Sequence, residues 1–324
     1  MLNVRFTRGV ALAAAAMALL GCATRHDAAG RPTATSFDVE RERARAVVIE
    51  AAEVAGFIRR AGDDLAVLDA REELAYTAGH VPGAVRVDPS DWKRLSLTDD
   101  EGLSNAEAWR RRIGALGIES DDAVLVYDDG AMTHAARVWF ILQHFGVREI
   151  RVLNGGIPML ERAIRRVEAP GRLTRSTETV DPAPAGFDPP DEIDRGIGVI
   201  GTDRLRAAID AGKVSVLDAR TPREFRGEDQ RDNQRGGHLP GAVNVPHERL
   251  LDERGRLKPA DELAGILREA GFERGTPVVT HCQSGGRASL AALAAARAGF
   301  GPVVNYYLSF GAWSADSACT VIGP

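Results

Sequence analysis

The chain has 324 residues, 44% of them hydrophobic and 27% charged, with a formal net charge of −5. That length is too great for one average domain and suits two, each with apolar residues enough for a core. A mild negative balance without Lys/Arg-rich runs argues against a nucleic-acid partner, and three cysteines are too few for a disulfide scaffold.

At the N-terminus, Arg5 and Arg8 precede an apolar run from Val10 to Leu20. Its 11 residues are too short to span a membrane and fit the core of a secretory signal. The run closes on Leu19-Leu20-Gly21-Cys22, which resembles the bacterial lipoprotein signal. That resemblance implies cleavage before Cys22 and a lipid on its thiol, so that residues 1–21 are the signal and 22–43 a flexible tether to the membrane. With Ala23 rather than aspartate next, it also implies outer-membrane sorting on the periplasmic side of the cell envelope. The alternative is a plain signal with an incidental Cys22.

Beyond the tether the chain repeats itself. Leu65-Ala66-Val67-Leu68-Asp69-Ala70-Arg71 is matched by Val214-Ser215-Val216-Leu217-Asp218-Ala219-Arg220, and Gly79-His80-Val81-Pro82-Gly83-Ala84 by Gly237-His238-Leu239-Pro240-Gly241-Ala242. The first pair is offset by 149 residues and the second by 158, so the second copy carries nine extra residues around Gly227-Glu228-Asp229-Gln230. Gly117 and Gly271 suit helix C-caps. Seven residues after each comes an apolar run, Val124–Tyr127 and Val278–His281, and the position after the run is Asp128 in one copy and Cys282 in the other. Residues 168–196, dense in proline, read as an extended linker between domains at 44–167 and 197–324.

In the second copy, strands are expected at Gly198–Ile200, Val214–Leu217, Ala242–Val245, Val278–His281 and Val303–Tyr306, with helices starting near Thr202, Pro259 and Arg287. Thr202 and Thr221 are candidate N-caps. Strands alternating with helices imply a parallel sheet whose ligands sit beyond the carboxyl ends of the strands, where Asp218-Ala219-Arg220 and Cys282 both fall.

Cys282 is followed by Gln283-Ser284-Gly285-Gly286-Arg287 and an alanine-rich helical stretch. A strand, a glycine turn and a helix start aim backbone N–H groups at one sulfur and favour a thiolate. The alternative for Cys282 is an inert core cysteine. Free cysteine titrates at ~8.5, and amide donors with a nearby cation bring it to roughly 3.5–7.5. The macrodipole alone contributes about 0.3–1 kcal/mol, so the loop amides and Arg287 must supply the rest. Cys319 reads as a bystander, with a bridge to Cys282 as the alternative in an oxidising compartment.

Taken together, these motifs resemble the rhodanese (thiosulfate sulfurtransferase) family in its two-domain form, over roughly residues 44–165 and 197–316. The resemblance implies two tandem rhodanese-like domains of class α/β, each a five-stranded parallel sheet flanked by helices. It implies that the copy with Asp128 is inactive and walls the pocket between domains. It also implies sulfur transfer in two displacements: a thiolate takes the outer sulfur of a small donor anion such as thiosulfate, and a thiophilic acceptor, cyanide or a thiol, removes it. Cys282 would carry the persulfide; Arg220, Arg287, Gln283, Ser284, Gly285 and Gly286 would bind the donor. For Arg220 a structural ion pair, with Glu224 for instance, stands as the alternative; Asp218 reads as organising backbone, His238 as a packing residue and His281 as a buried neutral imidazole. Neither a cofactor nor a metal is expected, since the histidines and cysteines show no ligand spacing.

Gln283 and Ser284 are neutral where thiosulfate-specific relatives carry basic residues, which leaves 3-mercaptopyruvate open as donor. The segment Tyr307–Trp313 lacks the glycine and glutamate of the family's usual turn. A persulfide carrier or redox relay, a cysteine phosphatase and a non-catalytic binding lipoprotein are the rival readings. Phosphatases place five residues between cysteine and arginine; this loop has four, a smaller cradle.

Overall fold

The computed structural model describes residues 46–98, 102–166, 176–187 and 197–323. The expected signal, Cys22 and the tether lie outside the described residues, as does most of the expected linker.

The first domain holds strands β1 (Val48–Ile49), β2 (Leu65–Asp69), β3 (Val85–Arg86), β4 (Ala123–Tyr127) and β5 (Glu149–Leu153), all parallel, in the order β1-β5-β4-β2-β3. Its helices are α1 (Val54–Ala61), α2 (Glu73–Thr77), α3 (Pro89–Leu95), α4 (Ala106–Ala115), α5 (Thr133–His144) and α6 (Gly156–Arg166). The second repeats the pattern: β6 (Ile197–Val199), β7 (Ser215–Asp218), β8 (Ala242–Asn244), β9 (Val278–His281) and β10 (Val303–Asn305) lie in the order β6-β10-β9-β7-β8. Helices α7 (Thr202–Asp210), α8 (Pro222–Phe225), α9 (Ala260–Glu269), α10 (Gly286–Arg297) and α11 (Ser309–Ala315) accompany it. A strand covered on both faces needs apolar residues at every position. The central strand β4, Ala-Val-Leu-Val-Tyr, meets that demand; β9 is equally buried but ends on the polar Thr280 and His281.

The second-copy strands fall within one residue of the expected bounds. Gly117 and Gly271 end their helices at φ +72° and +83°. Thr221 caps α8 through a capping box with Glu224. Thr202 is a correction. Gly201 holds the N-cap position, and the Thr202 hydroxyl lies inside the first turn, 2.9 Å from Tyr306 Oη. The described part of the linker is extended and laid against the first domain: Ser176 bridges His80, and the Ala185 N–H donates to Gly114 O at 2.8 Å.

The two domains share one hydrophobic core. Corresponding helices α5 and α10 pack on each other, and Trp139 and Phe140 of one join Leu290 and Leu293 of the other, with Tyr307 from beyond β10. Alanine at 291, 292, 294 and 295 keeps α10 narrow enough for close approach. At the rim Asn154 imitates a backbone partner, accepting from Leu257 N at 2.7 Å and donating to Leu257 O at 3.1 Å.

Candidate active site

Register sets the site. β7 and β9 run side by side with Asp218 beside His281, so Cys282 emerges one residue past the end of the central strand. The chain then turns through Gly285, whose φ of +87° glycine adopts without Cβ strain, into α10 at Gly286. The first N–H groups of a helix have no intrahelical acceptor and are free for a ligand or a side chain.

The first domain displays what such a loop binds. Asp128 stands at the end of β4 as Cys282 stands at the end of β9. Its carboxylate accepts from Gly130 N at 2.9 Å, Met132 N at 3.2 Å and Ala135 N at 3.1 Å. Met132, in the left-handed region, precedes α5 as Gly285 precedes α10. The loop is thus a cup for negative charge, and in the copy without cysteine a side chain of the loop itself fills it. Burial pushes the Asp128 carboxyl up, and the three amides oppose that shift.

Cys282 lies at the floor of its own loop, 1% exposed. Its N–H donates to Ser309 Oγ at 3.2 Å, and that hydroxyl is 3.9 Å from Sγ. Ser309 has φ +60°, a costly conformation for a residue with a Cβ. Both loop glycines are under pressure: a Cβ on Gly285 would stand 2.8 Å from the Tyr307 ring, and one on Gly286 2.8 Å from Arg137 Nη2. Cys282 and Cys319 are both free thiols, without a bridge.

The expected donor-binding residues separate into different environments. Arg287 opens α10 and is held end-on by Glu224, Nη1 to Oε2 at 2.7 Å and Nη2 to Oε1 at 2.8 Å. Burial alone would raise the Glu224 carboxyl; the Arg287 hydrogen bonds, Thr221 N–H and the charge of Arg287 outweigh it and hold it at about 2. Gln283 faces sideways, exchanging two hydrogen bonds with Asn233 at 2.7 and 3.0 Å and so tying the loop to the polar insertion of the second copy. The Ser284 carbonyl accepts from Arg137 Nη2 at 3.1 Å.

Arg220 makes the structural ion pair that stands as the alternative to a donor contact. It is 1% exposed, its Nε lies 3.0 Å from each oxygen of Asp218, and its Nη2 reaches Asp218 Oδ2 at 2.6 Å and Gly237 O at 2.8 Å. The guanidinium lies 3.9 Å from the Phe310 ring centroid. In the first copy Arg71 makes the same contacts to Asp69 and Gly79 O, beside no cysteine. The pair is therefore a structural device of the repeat, and its partner is Asp218 rather than Glu224. His238 stacks on Phe225 at 3.8 Å and bonds its carbonyl, as His80 stacks on Tyr76. His281 is fully buried 3.4 Å from Asp218 Oδ2, and burial pushes its imidazole down, toward the neutral form.

Three residues at the loop escaped the sequence reading. Arg137 and Ser96 come from the first domain and both donate to Tyr307 Oη. A buried arginine amid the apolar residues of α5 is the one sequence signal that marks Arg137. The third, Ser309, lies in the Tyr307–Trp313 segment, where no local pattern marks it as a neighbour of Cys282.

Comparison with known proteins follows the duplication. The model for the Rhodanese-like domain matches residues 51–162 and 202–316. SseB of Mycobacterium tuberculosis is 32% identical over 281 residues, covering 83% of this chain and 94% of that one. The thiosulfate sulfurtransferase of Azotobacter vinelandii is 32% identical over 275 residues, covering 82% and 93%. Among solved structures, the 3-mercaptopyruvate sulfotransferase SseA of Escherichia coli superposes with a TM-score of 0.67 at 27% identity, covering 82% of this chain and 99% of that one.

Proposed function

We propose, from the premise that this chain belongs to the rhodanese family and is a sulfurtransferase, that thiosulfate is its donor and Cys282 its sulfur carrier. The Cys282 thiolate attacks the outer sulfur of thiosulfate. The S–S bond breaks and sulfite leaves with the electron pair, so that a Cys282 persulfide remains. Cyanide or a thiolate then takes the terminal sulfur and returns the thiolate. Neither step needs an external oxidant or reductant.

The observation that carries this reading is the filled cup of the first domain. Three amides gather around the Asp128 carboxylate, and the same strand-loop-helix surrounds Cys282. An anionic persulfide gains from such donors what the carboxylate gains. Arg287, paired with Glu224, is the cation beside the loop that a donor anion would meet, and Gln283, Ser284, Gly285 and Gly286 give the loop its shape. The second reading, 3-mercaptopyruvate as donor, is favoured by the likeness to SseA and by the neutral Gln283 and Ser284.

The test is thiocyanate formation from cyanide with each donor under the same conditions. A higher kcat/KM for thiosulfate is expected; a higher value for 3-mercaptopyruvate assigns the second reading. We also propose, from Leu19-Leu20-Gly21-Cys22, export as a lipid-anchored envelope protein. Replacing Cys22 by serine is expected to release the protein from the membrane fraction; retention there contradicts the anchor.

A further inference from the structure

The domain without a cysteine reaches into the cysteine loop of the other. Arg137, on α5, is 5% exposed and lies beneath the turn into α10. Its Nη2 donates to Ser284 O at 3.1 Å, its Nη1 donates to Tyr307 Oη, and its guanidinium lies 5.4 Å from the Tyr307 ring centroid. These partners are all neutral. A buried cation facing a phenol, a carbonyl and a ring costs desolvation that an ion pair would offset, so its retention calls for another account.

The peptide between Ser284 and Gly285 supplies one. In a planar trans peptide the carbonyl and the following N–H point in opposite directions. Arg137 pulls the Ser284 carbonyl toward the first domain, so the Gly285 N–H faces the other way, into the loop. The duplicate offers a guide to where that N–H points: Met132, likewise the left-handed residue before its helix though in a loop one residue longer, donates its N–H to Asp128, the counterpart of Cys282. A Cβ added at Gly286 would stand 2.8 Å from Nη2, which shows how little room the grip allows.

We propose that Arg137 is a positioning residue for the sulfur-transfer reaction: from the first domain it locks the Ser284–Gly285 peptide with its N–H turned to the sulfur of Cys282. The inference deepens the reading of Cys282 as carrier and rests on it. The first domain is then part of the catalytic unit despite having Asp128 at the nucleophile's place. The other charged or titratable groups around the sulfur are Arg287 on α10 with Glu224 and His247 near it, Tyr307 after β10, and His281 on β9 backed by Asp218 and Arg220. Among the described residues, none of these bonds a carbonyl of residues 283–285 as Arg137 does.

The test uses full-length Arg137→Gln, Arg137→Lys and Tyr307→Phe, following alkylation of Cys282 by iodoacetamide against pH by peptide mass spectrometry, with thermal melting alongside. Arg137→Gln is expected to move the profile to higher pH, with alkylation about tenfold slower on its acid side. Arg137→Lys, which keeps a donor for Ser284 O, is expected to lie between Gln and wild type, and Tyr307→Phe to stay close to wild type. A folded Arg137→Gln protein with the wild-type profile overturns the proposal. So does an Arg137→Lys profile as displaced as that of Arg137→Gln. Should Arg137→Gln fail to fold, the wild type still decides: the Gly285 amide resonance must titrate together with Cys282, and a resonance that does not move overturns the proposal. Alkylation needs no sulfur donor. A protein that takes no sulfur from thiosulfate but shows these shifts therefore refutes the donor and keeps the positioning role.

Discussion

Asp128 and Cys282 occupy the same point of a duplicated fold, each one residue past the end of a central strand and each just before the turn into a helix. The first is a carboxylate holding three backbone amides; the second is a free thiol. The duplicated strand-loop-helix thus appears once with a carboxylate bonded to its loop amides and once with a free thiol.

Removing the filling has a stability cost confined to the first domain. Asp128→Ala leaves three N–H groups without an acceptor, two buried and one part-buried, at about 1–3 kcal/mol for each group that water does not reach. Asp128→Asn, which keeps one oxygen, is expected to cost less. Denaturant unfolding of both variants checks the order, and sulfur transfer per folded molecule is expected to stay at the wild-type level.

Arg220 is expected to act on stability and not on donor affinity. Arg220→Met strands the Asp218 carboxylate in the interior, and breaking a buried pair in this way costs about 3–5 kcal/mol. The KM for thiosulfate is expected to be unchanged in the protein that folds. A raised KM with unaltered stability would put the guanidinium on the donor instead.

Glu224 makes part of the stability acid-sensitive. Its carboxyl is held at about 2 against an ordinary 4.5, so the folded state binds a proton less readily than the unfolded state. The contribution is complete above about pH 4.5 and is lost as the pH falls toward 2. It amounts to about 3 kcal/mol. Glu224→Gln should therefore melt well below wild type near neutrality, with the gap closing as the pH is lowered through that window. A constant gap would show that the Arg287 pairing is not its source.

Gly285 is needed for two separate reasons, its left-handed φ and the Tyr307 ring against its Cα. Gly285→Ala is expected to lose most sulfur-transfer activity. Gly241→Ala, at φ +69° with nothing within 4 Å of the added carbon, pays the conformational cost of about 1–2 kcal/mol alone and keeps its activity. Parallel turnover and melting measurements on the two variants separate the terms.

The sheet was legible because parallel strands favour short apolar, β-branched runs, and β7, β8, β9 and β10 each carry an apolar pair or more between glycine and proline punctuation. The strand, turn and helix that carry Cys282 were legible within a dozen residues. What stayed hidden is long-range. Arg137 meets Ser284 across 147 positions and Tyr307 across 170, and no local spacing encodes a contact between domains. Arg220 was readable either way because an arginine beside a strand end suits an anion or a carboxylate equally well. The duplicate Arg71–Asp69 pair, in a copy without cysteine, favours the carboxylate. Thr202 has a good capping side chain, but Tyr306 draws its hydroxyl inward and Gly201 takes the cap.

The most direct measurement is the intact mass of the purified protein after incubation with thiosulfate and removal of the excess, compared with Cys282→Ala. Wild type is expected to gain the mass of one sulfur atom, to lose it on adding cyanide as thiocyanate appears, and Cys282→Ala to gain nothing. An equal gain on both proteins, or none on the wild type with either donor, contradicts a sulfur carried on Cys282.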